Sequence, residues 1–238
     1  MPGVATLEAV GLSKKYGEQI AVHPLDLAID AGQVMALLGS NGAGKTTTVH
    51  MFMGFVTPSS GSACVDGIDV QKEPRLARGR LGYLPENLAL YPHLTGLENL
   101  RYFGELGGER RADGELRAQL EAVGFPVAFA ERKAGAYSKG MRQKVGLAIA
   151  LGRPVKALLL DEPLSGLDPK ASNDLSKVLR RLASEGTAIL MATHDIFRAK
   201  SVADRIGIMR DGRLVASLDS QDVTVADVEA RYLAEMGA

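Results

Sequence analysis

The sequence predicts an α/β fold with a mostly parallel core sheet, an antiparallel β subdomain near the N-terminus and an inserted helical subdomain. Short, wholly apolar runs of strand length occur at Val34–Leu38 and Ala157–Leu160 and alternate with helical segments. Wholly apolar runs are typical of strands buried on both faces, and strand–helix alternation is typical of a parallel sheet. Between residues 88 and 150 the chain becomes charged and amphipathic, which indicates the helical insertion.

The length of the chain allows one large domain or two small ones, and we expect a single domain. Of the 238 residues, we expect 1–87 and 151–222 to form the core with its β subdomain, 88–150 the helical subdomain, and 223–238 a short amphipathic helical tail.

Charge and cysteine content narrow the classes of partner and compartment. Lys plus Arg and Asp plus Glu both total 28, so the formal net charge is zero, and we expect no nucleic-acid partner. The single cysteine, Cys64, excludes an internal disulfide and favours a reducing compartment. No apolar stretch of about 18 residues and no signal-peptide pattern is evident, so a membrane role would need another subunit.

The first half of the core begins with a strand that leads into a helix. Val34–Leu38 runs through a glycine-rich loop into a helix predicted from Lys45 to Met53, which Gly54 ends. Pro58–Gly61 predicts a turn.

Two Asp-Gly pairs predict tight hairpins. Asp66-Gly67 is the first pair, and Asp211-Gly212 is the second, which lies between apolar runs at Ile206–Met209 and Leu214–Ser217. Asp-Gly is among the strongest two-residue hairpin signals because both turn positions require positive φ.

Helix boundaries in the second half follow from capping residues. Thr95-Gly-Leu-Glu98 is a capping box, and Gly124 with Pro126 interrupts the helices that follow it. Ser138 is a candidate N-cap ahead of a helix predicted at Val145–Leu151. Asp168-Pro169 supplies an N-cap and an N1 proline for a helix that ends near Gly186, and Thr187–Thr193 predicts the next strand.

A phosphate-binding loop is the strongest motif. Gly39-Ser-Asn-Gly-Ala-Gly-Lys-Thr46 has the P-loop spacing and lies between a buried strand and a helix start. Its backbone N–H groups and the helix N-terminus favour phosphate, Lys45 can reach the β- and γ-phosphates, and the Thr46 hydroxyl can bind Mg²⁺. The alternative, a glycine-rich turn with a chance lysine, does not explain this context.

Two adjacent carboxylates end the strand at Ala157–Leu160. Asp161 at this position can enter the Mg²⁺ shell, and Glu162 can act as the general base toward an attacking water. Alone, Asp-Glu-Pro163 at a strand end is more often a turn; the phosphate loop upstream favours the catalytic interpretation.

These motifs together resemble those of the ATPase subunits of ATP-binding cassette (ABC) transporters over nearly the whole chain. The motifs, in chain order, are Tyr16 (adenine-stacking aromatic), Gly39 to Thr46 (Walker A), Tyr137 to Met141 (family signature, usually Leu-Ser-Gly-Gly-Gln), Leu158 to Glu162 (Walker B), Ser165 to Asp168 (D-loop) and His194 (switch histidine).

The resemblance implies a P-loop NTPase core that works as a head-to-tail homodimer, or as a heterodimer with a related ATPase. It implies ATP and Mg²⁺ as cofactors, integral membrane permease subunits as partners, and a peripheral location on the cytoplasmic face of the membrane. The implied nucleotide contacts are Tyr16, Gly39, Ser40, Asn41, Gly42, Ala43, Gly44, Lys45, Thr46, Thr47, Ser138, Gly140 and Asp168. The implied catalytic residues are Lys45, Glu86, Glu162 and His194, and the implied metal ligands are Thr46, Glu86 and Asp161.

Four residues depart from the family pattern. Glu86 stands where the family usually has glutamine. In the signature, Tyr137, Lys139 and Met141 replace leucine, glycine and glutamine, whereas Ser138 and Gly140 are kept. Tyr-Ser-Lys-Gly-Met with Leu-Pro-Glu is similar to the branch that serves separate export permeases, so we expect an exporter.

Two other classes of protein remain open from sequence. The first is a soluble ABC ATPase that acts on ribosomes or nucleic acid, although such proteins usually carry two cassettes or a long coiled coil. The second is a non-catalytic nucleotide-binding partner, which the intact Lys45, Asp161, Glu162 and His194 oppose.

Overall fold

The computed structural model describes residues 5–237. The core is a six-stranded sheet with the strand order β10-β9-β3-β8-β7-β6, parallel except for the antiparallel pair β9–β10. Its strands are β3 (Val34–Leu38), β6 (Leu81–Leu84), β7 (Ala157–Asp161), β8 (Ala188–Thr193), β9 (Arg205–Arg210) and β10 (Arg213–Asp219). The predicted α/β core with a mostly parallel sheet is confirmed.

A second, antiparallel sheet has the order β2-β1-β4-β5. Its strands are β1 (Leu7–Tyr16), β2 (Gln19–Ile29), β4 (Ser60–Val65) and β5 (Ile68–Asp69). The predicted hairpin between β4 and β5 is present, with φ of 51° at Asp66 and 76° at Gly67. The second predicted hairpin joins β9 and β10, with φ of 48° at Asp211 and 74° at Gly212. Positive φ at both central residues is what this tight turn demands.

Eight α-helices complete the described chain. They are α1 (Lys45–Phe52), α2 (Pro74–Gly79), α3 (Gly96–Leu106), α4 (Asp113–Ala122), α5 (Lys139–Ala150), α6 (Pro169–Ser184), α7 (Ile196–Val202) and α8 (Val225–Met236). The capping box at Thr95 and Glu98 starts α3 as predicted, and Asp168 caps α6. None of the helices in residues 5–237 is long and apolar enough to span a bilayer.

Two local predictions differ from the structure. Helix α5 begins at Lys139, six residues before the predicted start at Val145, because the Ser138 hydroxyl accepts a hydrogen bond from Met141 N and starts the helix directly. The predicted turn at Pro58–Gly61 ends early, since Ser60 and Gly61 already belong to β4. Gly61 has φ of 74°, and a methyl group there would lie 2.2 Å from Gly11 O, so its glycine serves close strand packing.

The helices α3, α4 and α5 lie between β6 and β7 in the chain, as the predicted insertion requires. They share one hydrophobic cluster with the core sheet, in which Leu100, Leu120 and Leu147 of the helices join Leu158 and Leu160 of β7. The division into separate core and helical subdomains stays a prediction.

Replacing a central core leucine should destabilise the whole fold. Leu158 is fully buried in β7, so we expect Leu158→Ala to lower the free energy of unfolding by about 2–5 kcal/mol. Urea denaturation monitored by circular dichroism measures this change. Leu106→Ala, at a leucine that is 68% exposed, is the control and should change stability by less than about 0.5 kcal/mol.

Candidate active site

The candidate site lies where three parallel strands end at one edge of the core sheet. The glycine-rich loop follows β3, Asp161 and Glu162 lie at the end of β7, and His194 follows β8. Because parallel strands present their carboxyl ends at the same edge, these residues come together although they are far apart in sequence.

The loop from Gly39 to Gly44 needs its glycines for two different reasons. Gly44 has φ of 100°, a conformation that residues with a Cβ avoid. Gly39 passes so close to β9 that a methyl group there would lie 2.5 Å from Met209 O. The loop is thereby held against its neighbours while Asn41 and Gly42 remain exposed at its outer side.

Lys45 binds the backbone of the phosphate loop through its side chain. Its Nζ donates hydrogen bonds to Gly39 O at 2.7 Å and Ser40 O at 3.0 Å, so the ammonium holds the loop in its curved shape. Burial lowers the pKa of Lys45, and the nearby carboxylates of Glu162, Asp161 and Glu86 oppose that shift. A buried cation among carboxylates and loop carbonyls is suited to receive a phosphate group.

Thr46 and Asp161 form the group of oxygens that suits a divalent cation. Thr46 Oγ1 donates a hydrogen bond of 2.9 Å to Asp161 Oδ2. Burial raises the pKa of Asp161, and the hydrogen bond from Thr46 counteracts this rise. Within residues 5–237 no group of three or more His, Cys, Asp or Glu side chains could hold a metal alone. One carboxylate and one hydroxyl nevertheless fit Mg²⁺, which usually takes one or two carboxylates together with phosphate oxygens and water.

Glu162 is held in an unusual backbone conformation beside Asp161. Its φ is 48°, in the left-handed region that non-glycine residues rarely adopt. Glu162 N donates to Ala192 O of β8 at 2.9 Å, and this bond fixes the turn. Backbone strain of this kind costs of order 1–3 kcal/mol and clusters at functional sites.

Two residues orient the carboxylate of Glu162: Thr193, the last residue of β8, and His194, which follows the strand. Oε1 lies 2.7 Å from His194 Nδ1, and Oε2 accepts a hydrogen bond of 3.2 Å from Thr193 Oγ1. The Glu162 side chain is 8% exposed, whereas that of His194 is 55% exposed. His194 can therefore meet a ligand from solvent while it keeps its contact with Glu162.

A cavity of about 420 Å³ opens above the phosphate loop. Its wall consists of Gln19, Ile20, Ala21, Asn41, Gly42, Ala43, Gly44, Lys45, Thr46, Thr47 and Asp211. Every loop residue from Asn41 to Thr47 that the sequence predicted as a nucleotide contact is thus brought to one space. Gly39 and Ser40 do not line the cavity, but their carbonyl groups accept the hydrogen bonds from Lys45 that hold the loop.

Tyr16 is not part of that cavity wall among the described residues. Tyr16 lies at the end of β1 and is 48% exposed. The Lys14 ammonium lies over its ring, 4.9 Å from the ring centroid. Gln19, Ile20 and Ala21, just beyond the hairpin, line the cavity instead. Sequence reasoning missed these residues and Asp211. The only sequence signal for these residues was Ile20, an apolar residue that follows a turn. In the structure Ile20 is 46% exposed.

The remaining predicted contacts lie away from the cavity above the loop. Ser138 is exposed at the N-terminus of α5, with Gly140 behind it against Ala171. Asp168 uses its carboxylate to cap α6 through Ala171 N at 2.9 Å. Glu86 is exposed on the loop after β6 and borders a second, smaller cavity.

Comparison with known protein families fits this geometry. The family profile described as "ABC transporter" matches residues 22–165, which span the phosphate loop, α5 and the Asp161–Glu162 pair. The chain belongs to the ABC transporter family. It is an ATP-binding subunit of that family and an ATPase with a P-loop NTPase core.

Curated relatives of this ABC subunit include drug-resistance proteins. It is 39% identical over 219 residues to the daunorubicin resistance ATP-binding protein DrrA2 of Streptomyces coeruleorubidus, covering 91% of this chain and 67% of that protein. It is 37% identical over 216 residues to the uncharacterized ABC transporter ATP-binding protein YdbJ of Bacillus subtilis, covering 90% of this chain and 70% of that one.

Solved structures of ABC cassettes share the fold. One of them is a dimeric ATP-binding cassette in a post-hydrolysis state, bound to ADP and Pi. It superposes with a TM-score of 0.79 at 25% identity and covers 90% of this chain and 98% of the other.

Proposed function

We propose that two copies of this ABC subunit, or one copy and a related ATPase, bind head to tail and enclose ATP between them. The phosphate loop of one subunit holds each triphosphate, and Ser138 with Gly140 at the start of α5 of the other subunit completes the site. The dimeric cassette with ADP and Pi, which shares this fold, supports the pairing.

One observation carries the proposal: the serine-capped N-terminus of α5 is exposed and lies outside the cavity above the phosphate loop of its own subunit. A helix N-terminus offers N–H donors and partial positive charge to an anion. The first turn of α5 has no acidic residue to satisfy it. A triphosphate presented by a second subunit would do so.

The arrangement of side chains suggests how hydrolysis proceeds. Glu162, oriented by His194 and Thr193, would accept a proton from the attacking water, a contribution of about 10²–10⁴-fold. Lys45 and the loop N–H groups would stabilise the charge that builds on the γ-phosphate oxygens. Thr46 and Asp161 would hold Mg²⁺, which supplies charge neutralisation at the β- and γ-phosphates when bound. Tyr16, which pairs with Gln19 across the β1–β2 hairpin, would contact the adenine, and Asp168 would lie at the interface.

We further propose that the subunit powers export through integral membrane permeases and sits on the cytoplasmic face of the membrane. The relative DrrA2 is a daunorubicin resistance ATP-binding protein, which supports the export assignment. YdbJ is an ABC transporter ATP-binding protein, and no observation favours the alternative of a ribosomal or nucleic-acid ATPase.

Mixing two inactive variants should restore activity if the site is shared between subunits. Lys45→Ala removes the phosphate-loop lysine and Ser138→Arg blocks the α5 N-terminus. Each variant alone should lose nearly all ATPase activity. In a one-to-one mixture the mixed dimer keeps one intact site, so turnover should return to roughly a quarter of the wild-type rate, by random pairing.

Phosphate release measures the activity of the mixture, and circular dichroism checks that both variants remain folded. A mixture as inactive as its components would exclude the shared site. An active Ser138→Arg variant would show that α5 plays no part in it.

A further inference from the structure

Two of the departures from the family pattern, Glu86 and Lys139, face the same cavity. This cavity of about 150 Å³ lies between the loop after β6 and the first two turns of α5. Its wall consists of Glu86, Asn87, Leu88, Lys139, Arg142 and Gln143. A carboxylate that replaces a neutral amide therefore shares one small space with an ammonium that replaces a glycine.

Lys139 occupies a position where its own helix disfavours a cation. It is the first residue of α5, where the helix dipole favours negative charge instead. Across residues 5–237 neither Lys139 nor Arg142 forms an ion pair within 4.0 Å. The position of the lysine is thus explained neither by α5 nor by a direct acidic partner.

The side chain of Lys139 is folded along the protein rather than extended into solvent. It is half-buried, and a methyl group added at Gly166 would lie 2.9 Å from its Nζ. Gly166 belongs to the loop that follows Glu162. The ammonium consequently lies between the small cavity and the loop that follows Glu162.

The small cavity has a polar wall that is incompletely satisfied. Gln143 is 2% exposed, and its Oε1 is buried without a hydrogen-bond donor among the described residues. A space of this size can hold several water molecules. Glu86 is exposed and Lys139 is half-buried on the wall of this space, so part of the field between them passes through protein, which screens it less than bulk water does.

Glu86 lies close to the phosphate site along the sheet. Leu84, two residues before it, pairs with Leu160 of β7, which directly precedes Asp161. ATP brings further negative charge to the same place. With glutamine in place of Glu86 this repulsion would be smaller.

We propose that Lys139 is a positioning residue for the ATPase reaction, whose ammonium offsets the charge of Glu86 across the small cavity and so preserves ATP affinity. The two departures then form one unit, in which the lysine compensates for the carboxylate. This inference rests on the proposed role of residues 39–47 in holding the triphosphate.

A double-mutant cycle tests the compensation. ATP affinity is measured by competition with a fluorescent ATP analogue, at protein concentrations low enough to keep the chain monomeric, in EDTA and in Mg²⁺. We expect Lys139→Gln to weaken ATP binding about three- to fivefold when Glu86 is present. In the Glu86→Gln background the same change should have an effect below about 1.5-fold. Lys139→Arg should bind ATP as the wild type does, and Lys177→Gln, at an exposed lysine of α6, controls for net charge.

Other outcomes overturn the proposal. Equal weakening in both backgrounds would mean that Lys139 acts on the triphosphate directly or through the stability of α5, and no weakening in either would mean that it has no electrostatic role. The compensation must appear in EDTA, where no metal ion can offset the charge of Glu86, and its absence there would overturn the proposal. Unaltered ATP binding by Lys45→Ala would instead refute the assignment of the phosphate loop, so the two failures are distinguishable.

Discussion

Glu162→Gln should bind ATP but hydrolyse it about 10²–10⁴-fold more slowly than the wild type. Glutamine has nearly the same shape as glutamate, so it can keep the contacts of Glu162 with Thr193 and His194. It cannot accept the proton of the attacking water. The ATP-bound dimer should therefore accumulate, because hydrolysis is the step that weakens the contact between subunits. Phosphate release gives the rate, and light scattering with and without ATP gives the mass.

The control for this prediction is Glu229→Gln, at an exposed glutamate of α8, which should hydrolyse ATP at the wild-type rate. A Glu162→Gln protein that stays monomeric at saturating ATP would contradict the shared site. One that hydrolyses ATP normally would contradict the role of general base. Comparable unfolding midpoints for the three proteins would show that the left-handed backbone at position 162 tolerates glutamine.

The features that sequence predicted well depend on short-range physics. Asp66-Gly67 and Asp211-Gly212 turn as expected because two consecutive positive φ angles leave few alternatives. Residues Asn41 to Thr47 line one cavity because a loop between a buried strand and a helix start has little freedom. The apolar run Ala157–Leu160 of β7 is buried. A buried central strand has a fixed position in the sheet, so Asp161 at its end lies beside Thr46.

The start of α5 was misplaced because local preferences oppose it. Lys139 and Gly140 are poor residues for a first helical turn, one because of its charge and the other because of its flexibility. The Ser138 cap and the packing of Gly140 against Ala171 of α6 outweigh these preferences. Tertiary packing of this kind is not visible in a sequence window.

Features that depend on distant residues were beyond sequence reasoning. The left-handed turn at Glu162 requires the carbonyl of Ala192 on the neighbouring strand. The shared cavity of Glu86 and Lys139 joins a loop and a helix that are more than fifty residues apart. Each departure from the family pattern was visible alone, but only the fold shows that their charges are opposed across one space.

Lys45→Ala should lose about a hundredfold or more in ATP affinity, the other large effect that this site predicts. Lys45 is 6% exposed, and its ammonium would exchange its bonds with Gly39 O and Ser40 O for stronger bonds with phosphate oxygens. Charge-assisted hydrogen bonds contribute about 1.5–3 kcal/mol each, and every 1.4 kcal/mol changes affinity about tenfold. The substitution also removes the group that bonds to the loop carbonyls of Gly39 and Ser40.

Titration calorimetry with ATP measures the loss of affinity in Lys45→Ala, and Lys72→Ala, at a lysine whose side chain is 80% exposed, should bind ATP normally. The loop hydrogen bonds make a further distinction possible. If Lys45 mainly shapes the loop, adenosine and ATP should both bind more weakly; if it mainly neutralises phosphate charge, the loss should grow from adenosine to ADP to ATP. We expect the second pattern, because Gly39 and Gly44 already confine the loop by contact with Met209 and Ala21. A variant that binds all three ligands like the wild type would show that this loop is not the phosphate site.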